Sequence, residues 1–496
     1  MDFARRILPC SPLSPAPLTV EDVAAGIKSR HRKSAKGLDG VSLLDLKSLP
    51  PSGLQALCDM FQSAENHGAW PNQILDARIT SLAKCDEPRT VMDFRPICIF
   101  SLVYRLWGSH HAKWLIRSLD TVLPDTLFGS RPGFHAGMVW TQLLSQIELA
   151  HQFGLSLCGV TADVQKAFVH LPRLVIFESC LLLGLPVTIV RAWAAAVGSM
   201  GRRFPLRESL SDPVFSCTGF AEGDGLSCLA MIIIDLLLHR WIESTQPSPQ
   251  ARVLSYVDDL QLVTYDPSAL DSVLDSLKTF SKAADLLLDN RKTFVWCADA
   301  DGRRYLRSRG HQVAPQFKYL GAHIQVTKQH TNGTLKARVD SLVDVWDKLR
   351  LSASPYHLKL RAIRTAAWPG GLHGVAATLL GSEVFNTLRA SAMRALRADG
   401  SGCSSILHFG CVETPDHDPL YWAILSSLRA ARDCGSLLSL SPNCRFRPVL
   451  FVRPRLLVSQ APFRKGSNFW DGMSLTRVPS VTIWANFRFS VCRLTN

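Results

Sequence analysis

Apolar and polar positions follow two rhythms along this chain. From about Leu54 to Asn66, and again from Leu102 to Leu119, apolar side chains recur every three to four residues, the spacing of a helix with one buried face. Trp70-Pro71 breaks the first pattern, and a segment rich in Ile, Leu and Arg follows from Ile74 to Lys84. Leu155 to Asp163, LSLCGVTAD, is a short apolar run that closes on a carboxylate and reads as a buried strand with Asp163 at its C-terminal end. Val164 onward reads as helix as far as Leu183, and Gly223 to Trp241 opens with glycines and continues as a strongly apolar helix. Arg252 to Tyr265, RVLSYVDDLQLVTY, places two β-rich runs around Asp258-Asp259, which predicts a hairpin with the acids at its tip. Leu270 to Leu288 predicts a helix, and Phe317 to Ile324 predicts strand. Beyond residue 334 the pattern is amphipathic helix, carrying Trp346, Lys348, Arg350, Lys359, Arg361 and Arg364. Residues 9–18, with Pro9, Pro12, Pro15 and Pro17, read as an irregular leader, and after about residue 440 the chain turns Pro- and Arg-rich.

Composition narrows the class. The 496 residues are 47% hydrophobic, enough for a large buried core, which excludes a mostly disordered chain; the length allows about three domains. The net charge of +14 points to a polyanionic partner, either nucleic acid or an acidic membrane surface. Its distribution is uneven: residues 325–496 carry +12 of that charge, and the first 324 are almost neutral. The longest apolar run, Leu226 to Leu238, contains Asp235 and falls short of the roughly 20 residues of a membrane span, so no membrane partner is expected. The start of the chain has Arg5 and Arg6 with no apolar run behind them, so no secretory signal is expected. Fourteen cysteines without a Cys-x-x-Cys pair fit reduced thiols in an intracellular protein. Cys403, His408, Cys411 and His417 form a loose group whose spacing matches no zinc module, and scattered thiols are the reading preferred for it.

Three carboxylates carry the chemistry. Asp163 stands at one strand end, and Asp258 and Asp259 stand at another about 95 residues later. If the two strands lie side by side, the acids converge and repel unless divalent cations bridge them. Hard oxygen ligands suit magnesium, and two such ions would support in-line phosphoryl transfer. Taken alone, each acid also fits a hairpin-turn carboxylate.

The neighbours of these acids resemble, in order over about 290 residues, the reverse transcriptases, most closely those of non-LTR (LINE-type) retrotransposons, with group II intron enzymes as relatives. KGLDGVS (Lys36–Ser42) is similar to the family's N-terminal GxDG segment, and LAKCDEPRTVMDFRPICIFSLVYRLWG (Leu82–Gly108) and FGSRPGF (Phe128–Phe134) are similar to its fingers motifs. ADVQKAF (Ala162–Phe168), GFAEGDGLS (Gly219–Ser227), YVDD (Tyr256–Asp259), LDNRKT (Leu288–Thr293) and FKYLG (Phe317–Gly321) resemble the palm motifs. LKLRAIRTAAWPGGLHG (Leu358–Gly374) is similar to the thumb segment of LINE-type enzymes.

The resemblance implies an α+β right-hand polymerase, with fingers, a palm built on an antiparallel sheet and a helical thumb. The expected segments are a leader over 1–35, fingers over 36–150, palm over 151–324, thumb over 325–400 and a C-terminal extension of unknown role over 401–496. The implied activity is RNA-directed DNA synthesis: two magnesium ions, with manganese as a substitute, transfer dNTPs to a primer 3′-hydroxyl on an RNA template. Asp163, Asp258 and Asp259 would be catalytic and would hold the metals together with the carbonyl of Val164. Lys84 and Arg95 would clamp the triphosphate, although a surface ion pair of Arg95 with Asp93 is the alternative for the latter. Phe168 would block a ribose 2′-hydroxyl, unless it is a core residue opening a helix, and Lys292 would protonate pyrophosphate, unless it is a solvated helix-end lysine. Glu222 and Gly223 would border the nucleotide. Arg131 would touch the template, and Phe317, Tyr319, Leu320 and Gly321 would grip the primer.

This sequence departs from the family at several points. Glu222 replaces the usual Gln, Gly225 and Cys228 replace two prolines, Val169 stands where Asp is usual after KAF, and Ser130 stands where an aromatic is common. Two other functions therefore stay open: an impaired remnant that only binds nucleic acid and, less favoured because of Phe168, an RNA-dependent RNA polymerase. An endonuclease is expected from elsewhere, and the expected location is nuclear.

Overall fold

The computed structural model describes residues 2–8, 12–15, 17–207, 209–246, 251–328, 333–378, 380–397, 404–409 and 417–439. Most of the expected C-terminal extension, Pro9 of the leader, and Cys403 and Cys411 of the Cys/His group lie outside the described residues. The chain divides into two compact units, residues 1–134 with 159–294, and residues 135–158 with 295–496.

The first unit is organised around the helix Gly225–Thr245. Fourteen of its side chains are buried, from Leu226 to Ile242, so it has no solvent face to pattern. By length and composition it could cross a membrane, but it is mostly buried, with the helices Leu102–Leu119, Arg173–Leu182 and Leu270–Ala283 and the strand Arg252–Tyr256 packed around it. Asp224 caps its start by accepting a hydrogen bond from Leu226 N at 3.2 Å.

Two sheets flank this core. The strand Ala77–Ala83 pairs antiparallel with Phe94–Ile99, setting Leu82 opposite Arg95, and parallel with Arg202–Arg203. In the other sheet Cys158–Asp163, Asp259–Thr264 and Arg252–Tyr256 lie side by side in that order. Its strand Cys158–Asp163 is buried up to Asp163, as expected of a run covered on both faces.

Element boundaries depart from the sequence reading where the chain turns. The helix expected from Val164 to Leu183 is two pieces, Ala167–His170 and Arg173–Leu182, because Pro172 has no N–H for a continuous ladder and serves as the second helix's N-cap. The helix expected to reach Leu288 ends at Ala283, and Asp285 (φ +54°) turns the chain away. The seven residues Ala77–Ala83 form strand, consistent with their alternating buried and half-buried start.

In the second unit, Phe294–Cys297 pairs in parallel with Val313–Ala314. The single strand expected over Phe317–Ile324 is a hairpin: Gln316–Tyr319 runs antiparallel to Ala322–Gln325. Leu320 (φ +46°) and Gly321 (φ +79°) make its two-residue turn, the left-handed pair that matches strand twist. Helices Ser382–Leu396 and Pro419–Ser439 enclose a core with Trp346, Ile363, Trp368, Phe385, Leu388 and Phe409. The Trp346 and Trp368 rings meet edge-on at 5.5 Å. Arg389 grips Asp418 through Nε (2.7 Å) and Nη2 (3.0 Å), a largely buried ion pair, and Asp418 also caps the start of the last helix through Leu420 N at 2.8 Å. His408 is paired with the Tyr356 hydroxyl at 3.1 Å.

Candidate active site

The hairpin Arg252–Tyr256/Asp259–Thr264 closes with Tyr256 opposite Asp259, leaving Val257-Asp258 as a two-residue turn. Val257 has φ +61°, the left-handed first position of a type II′ turn, occupied here by a β-branched residue that disfavours it. Gly129 of the FGSRPGF segment lies directly against this turn, where a Cβ would stand 2.4 Å from Val257 N.

Beside the turn, Val164 N donates to Asp258 O at 3.3 Å, which sets the end of the strand Cys158–Asp163 against it. Asp289 N donates to Asp163 O at 2.8 Å, and Gln165 N donates to Leu287 O at 2.7 Å, so the LDNRKT segment forms the third wall. Lys292 Nζ donates to Asp163 Oδ2 at 2.9 Å.

The electrostatics follow from this crowding. Burial, then the charges of Asp258 and Asp163, push Asp259 up to about 7. Burial, and to a lesser degree Asp163, raise Asp258. Lys292 is raised by its bond to Asp163. Burial also raises Glu222, opposed by the attraction of Arg95 and Lys84 and reinforced by Asp258. Lys84, Arg95, Glu222, Asp258, Asp163 and Lys292 therefore share one electrostatic neighbourhood. Asp93 is occupied by Thr90 and Arg89, whose main-chain N–H groups donate to its Oδ2 at 2.8 and 3.0 Å.

Close backbone approaches fix the other wall. Gly219 (φ +70°) lies on Val169, where a Cβ would stand 2.0 Å from the carbonyl oxygen. Gly223 (φ +110°) lies against the Cys98 carbonyl, where a Cβ would stand 2.5 Å from the oxygen, and Cys98 N donates to Glu222 O at 2.8 Å. Phe168 is half-buried, and its carbonyl accepts from Phe220 N at 2.6 Å.

Arg131 corrects the sequence reading. It is 6% exposed, donates through Nε and Nη2 to Asp120 Oδ1 at 3.0 and 2.7 Å and through Nη1 to the carbonyls of Pro124 and Leu127, and lies over the Phe134 ring. A guanidinium committed in this way organises its own loop and is not presented to a template strand. Phe317 and Tyr319 are buried, Phe317 against Trp296 at 5.9 Å, whereas Gln316 and Lys318 of the same strand are exposed and the turn Leu320-Gly321 is partly open. His373 Nε2 lies 3.3 Å from Leu320 O at this turn.

Sequence reasoning missed Asp224, which is buried, accepts from the Tyr104 hydroxyl at 3.2 Å and is pushed up to about 6 by burial. It also missed Asp235 and His239, which are buried in the helix Gly225–Thr245 that packs on the strand Arg252–Tyr256. The signal for Asp235 was a lone carboxylate inside an apolar run, which had been read only as an interruption.

Residues 84–324 match the family model of reverse transcriptases, RNA-dependent DNA polymerases. This segment is a reverse-transcriptase domain. Helix and sheet are mixed in its fold. The chain is 30% identical over 298 residues to a probable RNA-directed DNA polymerase from transposon BS of Drosophila melanogaster, covering 57% of this chain and 32% of that protein. It is 23% identical over 395 residues to a retrovirus-related Pol polyprotein from the type-2 retrotransposable element R2DM of the same fly, covering 75% and 36%. The chain thus spans about a third of the length of these relatives. Solved telomerases from Candida tropicalis and Candida albicans align at TM-scores of 0.41 and 0.39 and 12% and 13% identity, over 80% and 79% of this chain and 70% and 69% of theirs.

Reverse transcriptases generally use divalent metals. The reverse-transcriptase domain offers the matching donors, since Asp163, Asp258 and Asp259 are hard oxygen ligands, and Asp258 and Asp259 are raised first by burial and then by the charge of neighbouring carboxylates. Among the described residues no three His, Cys, Asp or Glu side chains already converge on one point. Lys292 donates to Asp163, one of these three carboxylates.

Proposed function

We propose that the chain is an RNA-directed DNA polymerase that adds dNTPs to a DNA primer 3′-hydroxyl on an RNA template. The observation that carries this reading is the placement of Asp163, Asp258 and Asp259 at adjoining strand ends with Lys84, Arg95 and Lys292 in their field, inside a reverse-transcriptase domain.

Asp163, Asp258 and the Val164 carbonyl would hold two magnesium ions with help from Asp259. Bound there, the ions would lower the pKa of the primer hydroxyl and neutralise the triphosphate. Lys84 and Arg95 would bind the triphosphate as charge-assisted donors. Lys292, moved off Asp163 when the metals enter, would be left with an ammonium proton beside the leaving pyrophosphate. Phe168 would close the space beneath the sugar. Basic helical residues after 334 would hold the duplex phosphates in a thumb, and Leu320-Gly321 would support the primer end.

Glu222 favours a second reading, an enzyme of low turnover, because its carboxylate shares a field with the two cations meant for the triphosphate. The deciding experiment is primer extension by purified protein with magnesium, an RNA template, a DNA primer and dNTPs. Extension that Asp258→Ala abolishes without lowering the melting temperature supports the polymerase. Salt-dependent binding of primer–template with no magnesium-dependent synthesis, by this chain and by Glu222→Gln alike, would leave only a nucleic-acid binder.

A further inference from the structure

Two polar groups in the core helix Gly225–Thr245 converge on one hydroxyl. Asp235 and His239 are one turn apart on the same face and are 5% and 3% exposed. His239 Nε2 lies 3.1 Å from Ser255 Oγ, and the Ser255 side chain also partly offsets the effect of burial on the Asp235 carboxyl. Ser255 has no exposed surface and directly precedes the YVDD turn. Its main chain is fixed too: its N–H donates to Thr126 O at 3.0 Å, and its carbonyl accepts from Phe128 N at 2.9 Å. Burial, and to a lesser degree the charge of Asp258, drive the Asp235 carboxyl far up, and burial lowers the His239 imidazole to about 3.

Stability alone does not call for these residues. Every other side chain from Leu229 to Leu238 is apolar, and a leucine at 235 would bury more apolar area with no polar group to desolvate. The turn two residues beyond Ser255 does call for them. A β-branched residue at φ +61° persists only where its surroundings over-determine the backbone. Sliding the strand by one residue would let that turn relax and would swap every side chain to the opposite face. It would also withdraw the Ser255 hydroxyl and leave two buried polar groups unpaired.

We propose that Asp235 and His239 are positioning residues that lock the register of the strand Arg252–Tyr256 through Ser255, and so hold Asp258 on its strained turn in the geometry needed for nucleotidyl transfer. The catalytic consequence rests on the polymerase reading, whereas the lock itself does not.

The test compares the full chain with Asp235→Leu, Asp235→Asn and Ser255→Ala by hydrogen exchange over residues 253–260, thermal melting and steady-state primer extension. Asp235→Leu is expected to keep the melting temperature within a few degrees. It should speed exchange in the hairpin about tenfold and lower kcat about tenfold or more, with the KM for dNTP within about twofold, the signature of misplaced groups rather than lost substrate binding. Asp235→Asn keeps the shape and a hydrogen-bonding oxygen and restores kcat to within about threefold. Unchanged exchange and kcat in Asp235→Leu would overturn the lock, as would an equal loss in Asp235→Asn and Asp235→Leu. Should the leucine variant not fold, Ser255→Ala, which deletes one oxygen, carries the same comparison. A native chain that extends no primer counts against the polymerase reading, and the exchange comparison then decides the lock by itself.

Discussion

Gly129→Ala tests the link between the FGSRPGF segment and the Val257-Asp258 turn. The added Cβ would stand 2.4 Å from Val257 N, 3.1 Å from Val257 Cγ2 and 3.2 Å from Tyr256 C, where 3.4 Å is the near limit of ordinary contact. Two of these three atoms are backbone, so no side-chain rotation relieves the overlap. Something must move by about 1 Å, and Phe128 and Ser255 resist on one side because their main chains are joined at 2.9 Å. The softest response is displacement of the Val257-Asp258 turn. Overpacking of this kind costs about 1–3 kcal/mol of stability. A 1 Å misplacement of a reacting group costs on the order of 100-fold in rate. Primer extension at saturating dNTP should therefore fall by roughly that factor, with a change in nucleotide KM of less than about threefold. Circular dichroism and thermal melting establish that the variant is folded. Full activity in a folded Gly129→Ala protein would refute the claim that this contact sets the position of Asp258.

Three further outcomes are expected. Glu222→Gln removes the carboxylate that shares the field of Lys84 and Arg95, and should lower the dNTP KM several-fold in steady-state extension; a higher KM would mean that the carboxylate assists binding. Asp224 is raised to about 6 in the folded protein, above the ordinary 3.8, so the native state binds that proton more tightly than the unfolded chain and the stabilisation it gives at low pH is lost as pH rises through 6. Relative to Asp224→Asn, the parent should lose about 2 kcal/mol between pH 4 and pH 7 in urea titrations, and a pH-independent difference would contradict this. Arg389→Ala strands Asp418 in a largely buried site and should cost about 3–5 kcal/mol in thermal or urea unfolding, whereas a loss below 1 kcal/mol would show that water reaches the carboxylate.

The legible part of the structure was the part written in local pattern. The helix Leu102–Leu119 and the hairpin bearing Asp258-Asp259 follow from periodicity and from turn chemistry, which act over a few residues. The break at Pro172 was also written locally, but the apolar spacing on either side masked it. Roles that depend on distant partners could not be read. Arg131 is taken up by Asp120 and by two carbonyls of its own loop, and nothing in the spacing of FGSRPGF announces those contacts. Phe317 and Tyr319 alternate with exposed Gln316 and Lys318, so the pattern marked them as inward-facing, yet the resemblance drew them toward the primer. Asp235 and Ser255 are 20 positions apart on a helix and a strand, and only packing brings them together.

The core helix Gly225–Thr245 also has a consequence during synthesis. Its window has a mean hydropathy of 1.7 over a membrane-spanning length, so as it leaves the ribosome it resembles a signal for insertion into a bilayer. One wall of its final packing, Leu102–Leu119, is already made, but the hairpin and the helix ending at Ala283 are still to come. At about 5–20 residues per second the segment waits some 2–8 s for those partners. Asp235 stands at its middle, where a carboxylate costs roughly 2.5–3.5 kcal/mol to insert. The carboxylate buried at the centre of this helix in the finished protein thus also discourages the nascent chain from entering a membrane before its packing partners exist.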